Sequence, residues 1–359
     1  MRNVSDLHRA FGYDLNPCEL SSENCTDIPR EMTFNDDSLV SVITYTILFF
    51  IAAVGNLMVF IALFRNRHRR SRVNLFIMHL AIADLMVTFI MLPNEIGWHI
   101  TVNWTAGDVG CRILMFFRTF GFYLSSFILV AISLDRYYSI STLRSITRAR
   151  RRSQVMIAIA WILSAVASIP QSIIFHEERH PMYPWFKQCV TFNFFPSVAH
   201  ERAYNMFNIL AVYVVPLGFI IVTYSLVLWR ISNRKLEVSG HHHSQVMIAE
   251  CSLRIHQSVG NPIERAKNRT LKMTVVIVCV FIMCWTPYIV MLAWACIDRN
   301  SAASVNPKFT RFLFIFAVSN SCMNPFIYGM FTQVFQHEVS KARILCCFRR
   351  HHYIDTRHY

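Results

Sequence analysis

The chain has 359 residues, 54% of them hydrophobic and only 16% charged, with a formal net charge of +14. Soluble domains carry about 25% charged residues, so this balance excludes a disordered chain, a collagen-like repeat and a coiled coil, and it argues against an ordinary cytosolic enzyme. A mean hydropathy of +0.36 and a pI near 9.5 leave a nucleic-acid binder in play only if the excess charge gathers into one binding patch.

In chain order, residues 1–38 are polar and hold eight acids against three arginines, a balance of −5. They lack the apolar core of a cleavable signal peptide, so the first apolar segment is expected to act as the membrane signal. A transmembrane helix needs about 20 mainly apolar residues, and seven segments qualify. Residues 39–64, 155–175 and 203–228 are uncharged, and 73–100 hold only Asp84 and Glu95. Residues 109–140 hold Arg112, Arg118, Asp135 and Arg136, while 271–297 and 309–331 hold only Lys272 and Arg311. Neither the alternating runs of a membrane β-barrel nor a transporter-type internal repeat is visible in the sequence. The expected fold class is an all-α membrane protein: a seven-transmembrane helix bundle over 39–331, with a third cytoplasmic loop at about 232–266, followed by a short C-terminal amphipathic helix and tail over 332–359.

Charge sets the expected orientation. The first connecting loop carries Arg65, Arg67, Arg69, Arg70 and Arg72; the third carries Arg144, Arg148, Arg150, Arg151 and Arg152; neither holds an acid. The positive-inside bias makes both cytoplasmic, which puts 1–38 outside as a glycosylated tail and the C-terminus in the cytoplasm. The excess charge thus orients a multi-pass membrane protein and faces the anionic leaflet; no nucleic-acid partner is expected. Sequons at Asn3, Asn24 and Asn103 fall on the outer side and are candidate glycosylation sites, whereas that at Asn268 falls inside. The run His241-His242-His243 reads as a solvated stretch of the inner loop.

Cysteines divide by compartment. Cys18, Cys25, Cys111 and Cys189 fall on the oxidising outer side, where a Cys111–Cys189 disulfide would tie the top of the third segment to the second outer loop, and Cys18 with Cys25 forms a second candidate pair. Cys279, Cys284 and Cys322 read as small apolar packing residues. Cys346 and Cys347, beyond the last span, are candidate palmitoylation sites.

Charges inside a bilayer are expensive and should face the bundle interior. At helical spacing Arg118, Phe122, Ser125, Leu129, Ile132 and Arg136 share one face, with an arginine at each end about 27 Å apart at 1.5 Å per residue. Asp84 and Glu95 lie three turns apart, with Pro93 between them expected to kink the helix. Glu95 and Arg118 then reach similar depth near the outer mouth, to pair with each other or with a ligand. Asn320, Ser321, Asn324 and Tyr328 share a face of the last span, where Pro325 frees a backbone carbonyl for polar groups to satisfy.

Together these residues resemble the rhodopsin-like (class A) G-protein-coupled receptors. The resemblance rests on Gly55-Asn56, Leu80-Ala81-Ile82-Ala83-Asp84, Asp135-Arg136-Tyr137, Trp161, Pro216, Tyr224, the run Phe281 to Tyr288 containing Cys284-Trp285-Thr286-Pro287, and Asn324-Pro325-Phe326-Ile327-Tyr328, all in order over about residues 39–345. It implies that Asp135 holds Arg136 at rest and that Arg136, with Tyr137, is freed to meet a heterotrimeric G protein. It implies a switch built from Phe281 and Trp285 and completed by Tyr224, Asn324, Pro325 and Tyr328. It also implies an allosteric sodium ion held by Asp84, Ser125, Asn320, Ser321 and Asn324, an oxygen-rich set suited to a hard cation. No other cofactor is expected. Receptor kinases and arrestin are implied as further partners.

Val318 stands where a retinal-binding lysine would, and Arg118 stands where an amine receptor needs an aspartate and would repel a cationic amine. The second outer loop, from Phe175-His176-Glu177-Glu178 through Gln188-Cys189-Val190-Thr191-Phe192-Asn193-Phe194-Phe195-Pro196, is similar to that of arthropod adipokinetic hormone and red pigment-concentrating hormone receptors, within the gonadotropin-releasing-hormone receptor superfamily. This resemblance implies a short extracellular peptide hormone, blocked at both ends, bound by Glu95, Trp98, His99, Arg118, Phe122, Asn205, Tyr288, Trp294 and Phe314. Corazonin and adipokinetic/corazonin-related peptides are neighbouring alternatives, as is gonadotropin-releasing hormone itself. The superfamily suggests Gq and Gs. A seven-span enzyme would need buried metal ligands or a nucleophile motif, and neither is visible in the sequence.

Overall fold

The computed structural model describes residues 29–65, 71–141, 146–242 and 262–331. Asn3, Cys18, Asn24, Cys25, Cys346, Cys347 and the expected C-terminal amphipathic helix lie outside the described residues, as does much of the third cytoplasmic loop. Among the described residues seven helices are long and apolar enough to cross a membrane: span one, Asp36–Arg65; span two, Arg72–Thr101; span three, Gly107–Ile140; span four, Arg148–Ile174; span five, Val198–Asn233; span six, Asn268–Ile297; and span seven, Pro307–Phe331. Apolar side chains favour hydrocarbon, and a helix satisfies its own backbone there. Helical structure runs further into the third inner loop than expected, to His242 on one side and from Pro262 on the other.

Span three lies at the centre, packed against spans two, four and five, while span one rests on two and seven. The predicted inner face of span three is the buried one: Phe122, Ser125, Leu129, Ile132 and Arg136 are all buried and Arg118 is half-buried.

Three local departures were not visible in the sequence. Val87–Met91 of span two and Leu210–Val214 of span five are π turns. Each π turn shifts the helical register after it, so span two leaves the α-helical register before Pro93. Gly121 of span three admits this turn: a Cβ there would stand 2.8 Å from Val87 Cγ2. Span seven also breaks earlier than its proline suggests, at Ser319, between helices Pro307–Val318 and Asn320–Phe331.

Pro325 has no N–H for the carbonyl four residues back. That carbonyl, Ser321 O, accepts instead from Asn56 Nδ2 of span one at 2.9 Å. The approach requires Gly55, because a Cβ there would stand 2.8 Å from Pro325 Cγ. Adjacent residues of span one thus make room for the proline ring and satisfy the carbonyl it releases.

One antiparallel hairpin joins the helices described: β1, His176–Arg179, pairs with β2, Lys187–Val190, in the second outer loop. Cys189 in β2 is bonded to Cys111, with Cα atoms 5.6 Å apart. Cys284 and Cys322 are buried as expected, whereas Cys279 is exposed on span six; it faces out of the bundle rather than packing within it.

Candidate ligand mouth, polar core and inner switch

At the outer end, Arg118 Nη2 lies 3.1 Å from Glu95 Oε1. The π turn lies between Asp84 and Glu95, and both side chains still point inward, 0% and 6% exposed. The Arg118 guanidinium also sits over the Phe314 ring, 5.0 Å from its centroid, and Phe314 meets Tyr288 at 5.2 Å. His99 stacks on Tyr45 of span one at 5.7 Å. Glu95 Oε1 is buried in charge contact with Arg118 but holds no hydrogen bond, so one acceptor of the pair is under-satisfied.

The remaining predicted ligand residues divide. Trp98 donates its indole N–H to Gln188 Oε1 of β2 at 2.7 Å, and Gln188 Nε2 donates to Val102 O at 2.7 Å; Trp98 therefore fastens the hairpin to span two. Trp294 is exposed and makes no ring contact among the described residues. Asn205 lines a cleft of about 290 Å³ between the outer ends of spans five and six, with Glu201, Arg202, Ile209, Leu292, Cys296 and Arg299. Glu201 and Arg299 pair along its lining at 3.3 Å. Sequence reasoning missed Tyr45 and this cleft, because neither an uncharged tyrosine in span one nor charges at span ends signal which helix they will face.

Asn103 binds the hairpin with both ends of its amide: Oδ1 accepts from Lys187 N at 2.7 Å, and Nδ2 makes a long contact to Trp185 O at 3.4 Å. A glycan on Nδ2 would displace the second contact.

Below the mouth, Phe122 meets Trp285 edge-on at 5.0 Å. Trp285 neighbours Phe281, which stacks on Tyr213 at 5.7 Å. Tyr213 of span five shares a hydroxyl hydrogen bond with Thr286. This aromatic column links the outer mouth to the helices below.

At mid-depth, Asn324 Nδ2 donates to Asp84 Oδ2 at 2.7 Å. Asp84 Oδ1, Ser125 Oγ and Asn324 Oδ1 are buried without hydrogen-bond partners, and Asn320 and Ser321 are buried beside them in sequence. Orphaned oxygens with a carboxylate form a donor set that fits a hard monovalent cation. His79 is otherwise engaged, accepting from Trp161 Nε1 at 3.2 Å.

At the inner end, Asp135 Oδ2 lies 2.5 Å from Arg136 Nη2. Asp135 Oδ1 accepts from Arg72 Nη1 at 2.9 Å and from Ser153 Oγ at 3.1 Å. Tyr137 lies against Arg230 of span five, 5.4 Å from ring centroid to guanidinium. Tyr224 lies near Thr274, Ser133 and Arg136, and the Tyr328 hydroxyl is buried without a hydrogen-bond partner.

The seven-span arrangement is matched among known proteins. The profile of the seven-transmembrane receptor (rhodopsin family) matches residues 55–328. The chain is 35% identical over 342 residues to a gonadotropin-releasing hormone II receptor of Clarias gariepinus, covering 95% of this chain and 86% of that protein. It is 34% identical to a gonadotropin-releasing hormone receptor of Octopus vulgaris, over 86% of this chain and 74% of that one. A gonadotropin-releasing hormone receptor of Sus scrofa is 34% identical over 73% of this chain and 77% of its own length.

Proposed function

The chain belongs to the rhodopsin family of seven-transmembrane receptors, within its gonadotropin-releasing-hormone receptor group, and on that premise we propose that it is a plasma-membrane receptor for a short blocked peptide hormone of the adipokinetic type. The outer loops face the exterior and the arginine-rich loops face the cytoplasm, as the positive-inside bias requires. Binding outside shifts a two-state bundle toward a form that drives nucleotide exchange on Gq or Gs.

The observation that carries this reading is the pairing of the buried Glu95 with the half-buried Arg118 at the mouth. Arg118 offers guanidinium donors to peptide carbonyls, and Glu95 Oε1, without a hydrogen bond, accepts from a lactam or backbone N–H. Tyr45, His99, Tyr288 and Phe314 supply aromatic surface, and the cleft beside Asn205 extends the site toward spans five and six. Phe122 carries displacement at the mouth to Trp285 and Phe281. Release of Arg136 from Asp135 then opens the inner face. Receptor kinases and arrestin act on the inner face, and membrane lipid surrounds the spans.

Asp84, Ser125, Asn320, Ser321 and Asn324 would hold a sodium ion. That ion supplies a charge neutralising Asp84 in the resting bundle. Replacing extracellular sodium with N-methylglucamine is expected to raise basal signalling in the wild type and to leave Asp84→Asn unchanged; equal behaviour of the two would remove the ion from the scheme.

The deciding experiment is a calcium and cyclic-AMP assay in transfected cells. It uses a panel of adipokinetic, red pigment-concentrating, corazonin, adipokinetic/corazonin-related and gonadotropin-releasing peptides. An adipokinetic-type peptide should act at the lowest concentration. A lower threshold for any other peptide reassigns the ligand, and silence of a surface-expressed receptor toward the whole panel overturns the reading.

A further inference from the structure

The inner end of the bundle holds one carboxylate between two guanidinium groups. Asp135 is fully buried. One oxygen, Oδ2, is taken by Arg136. The other accepts from Arg72 Nη1 and Ser153 Oγ. Arg72 comes from span two and Ser153 from span four, so a single side chain of span three ties three helices together. The second fork of Arg72 is also used, Nη2 donating to Ser139 Oγ at 3.2 Å.

The position of Arg72 is itself informative. It is the first residue of its helix, after Ser71, at the end where the helix dipole disfavours a cation. Its side chain is 26% exposed, against 9% for Arg136. An arginine that served only to mark the cytoplasmic side would point to water. This one turns inward, against the dipole, to reach a buried acid.

Removing one partner of a buried ion pair is strongly destabilising when the other is left charged and unpaired. If Arg136 leaves Asp135 during signalling, as the proposed function holds, Asp135 faces that penalty. We infer that Arg72 is a standing counter-charge for Asp135: with Ser153 it keeps the carboxylate compensated after Arg136 has moved, and so makes release of Arg136 accessible. Arg72 is a positioning residue acting through Asp135. The inference rests on the proposed switch for its purpose, but the compensation can be measured without any ligand.

The test uses the full-length receptor in nanodiscs. Arg136→Gln mimics departure of Arg136. Alone, Arg72→Gln and Arg136→Gln should each lower the melting temperature by a few degrees. The double variant should lose clearly more than the two losses combined, because Asp135 is then bare. Adding Asp135→Asn should restore the double variant to the level of Asp135→Asn alone. If the double variant cannot be recovered from membranes yet is recovered with Asp135→Asn, the result is the same in stronger form. Additive losses, or failure of Asp135→Asn to rescue, overturn the inference.

A second readout addresses switching. Nucleotide-free Gq and Gs heterotrimers should bind Arg72→Gln about tenfold more weakly than wild type, and Arg72→Lys should recover part of that loss. Equal affinity per folded receptor would leave Arg72 out of the switch. A wild-type receptor that binds neither heterotrimer sinks the proposed coupling, while the melting series still decides whether Arg72 compensates Asp135.

Discussion

Both ends of span three set an arginine against a carboxylate, and the two pairs are built differently. At the mouth, Glu95 comes from span two, and its Oε1 holds no hydrogen bond although Arg118 is 3.1 Å away. At the inner end, Asp135 receives Arg136, Arg72 and Ser153. The outer pair is under-satisfied and backed by aromatic rings, which suits a site that must accept a visitor. The inner pair is filled by the protein itself, which suits a clamp that opens only when something else moves. The same residue types serve binding in one place and restraint in the other, and the count of donors around the carboxylate separates the two.

Charge reversal at the mouth is the severest way to break this contrast. Arg118→Glu sets two acids together, and the response to the activating peptide is expected to weaken at least about 100-fold, or roughly 2.7 kcal/mol. Surface labelling should remain near wild type. An unshifted dose–response curve would take Arg118 out of the ligand site.

Between the two pairs, Asn56→Ala strips the donor from Ser321 O. An unsatisfied buried carbonyl costs roughly 1–3 kcal/mol, which should appear as a lower melting temperature while peptide potency per folded receptor stays unchanged. A potency loss without a stability loss would move Asn56 from scaffold to signalling. Glu95→Gln sharpens the picture of the mouth by keeping shape and removing charge. Potency should fall about tenfold, or roughly 1.4 kcal/mol, because Arg118 loses its counter-charge; no change would mean that Glu95 serves only through its shape. The smallest effect belongs to Phe314→Leu, which removes the ring beneath Arg118 at about 0.5–1 kcal/mol. That predicts a two- to fivefold rightward shift in the dose–response curve, and a larger one would assign Phe314 a direct peptide contact.

The bundle was legible in the sequence because hydrocarbon imposes a strict rule: seven apolar segments and a few buried charges leave little freedom. Glu95 and Arg118 were found for the same reason, since charges at equal depth in a membrane must be accounted for. Asp84 with Asn324 followed from their motifs. What escaped was of several kinds. The π turns and the break at Ser319 are single-turn departures that apolar periodicity smooths over. Arg72 was hidden by its own usefulness as a topology signal: counted among loop cations, it gave no sign of reaching inward. Glu201 and Arg299 are 98 residues apart and became a pair only once spans five and six were set side by side. The hairpin escaped because its strands, His176–Arg179 and Lys187–Val190, are mostly polar and carry no apolar alternation.

The fastening of that hairpin bears on how fast a ligand can come and go. Cys189 is bonded to span three, Gln188 to Trp98 and Val102, and Lys187 to Asn103, and Glu177 N donates to Asp108 Oδ1 at 3.0 Å. Every one of these ties runs toward spans two and three. A peptide arriving over that side would have to break them. One arriving over spans five and six meets a cleft already formed. Association is therefore expected to be set by the chemistry of the span-five rim and dissociation by the Glu95–Arg118 pair, so that substitutions at Arg202 and at Arg118 act on different rate constants of the same binding event.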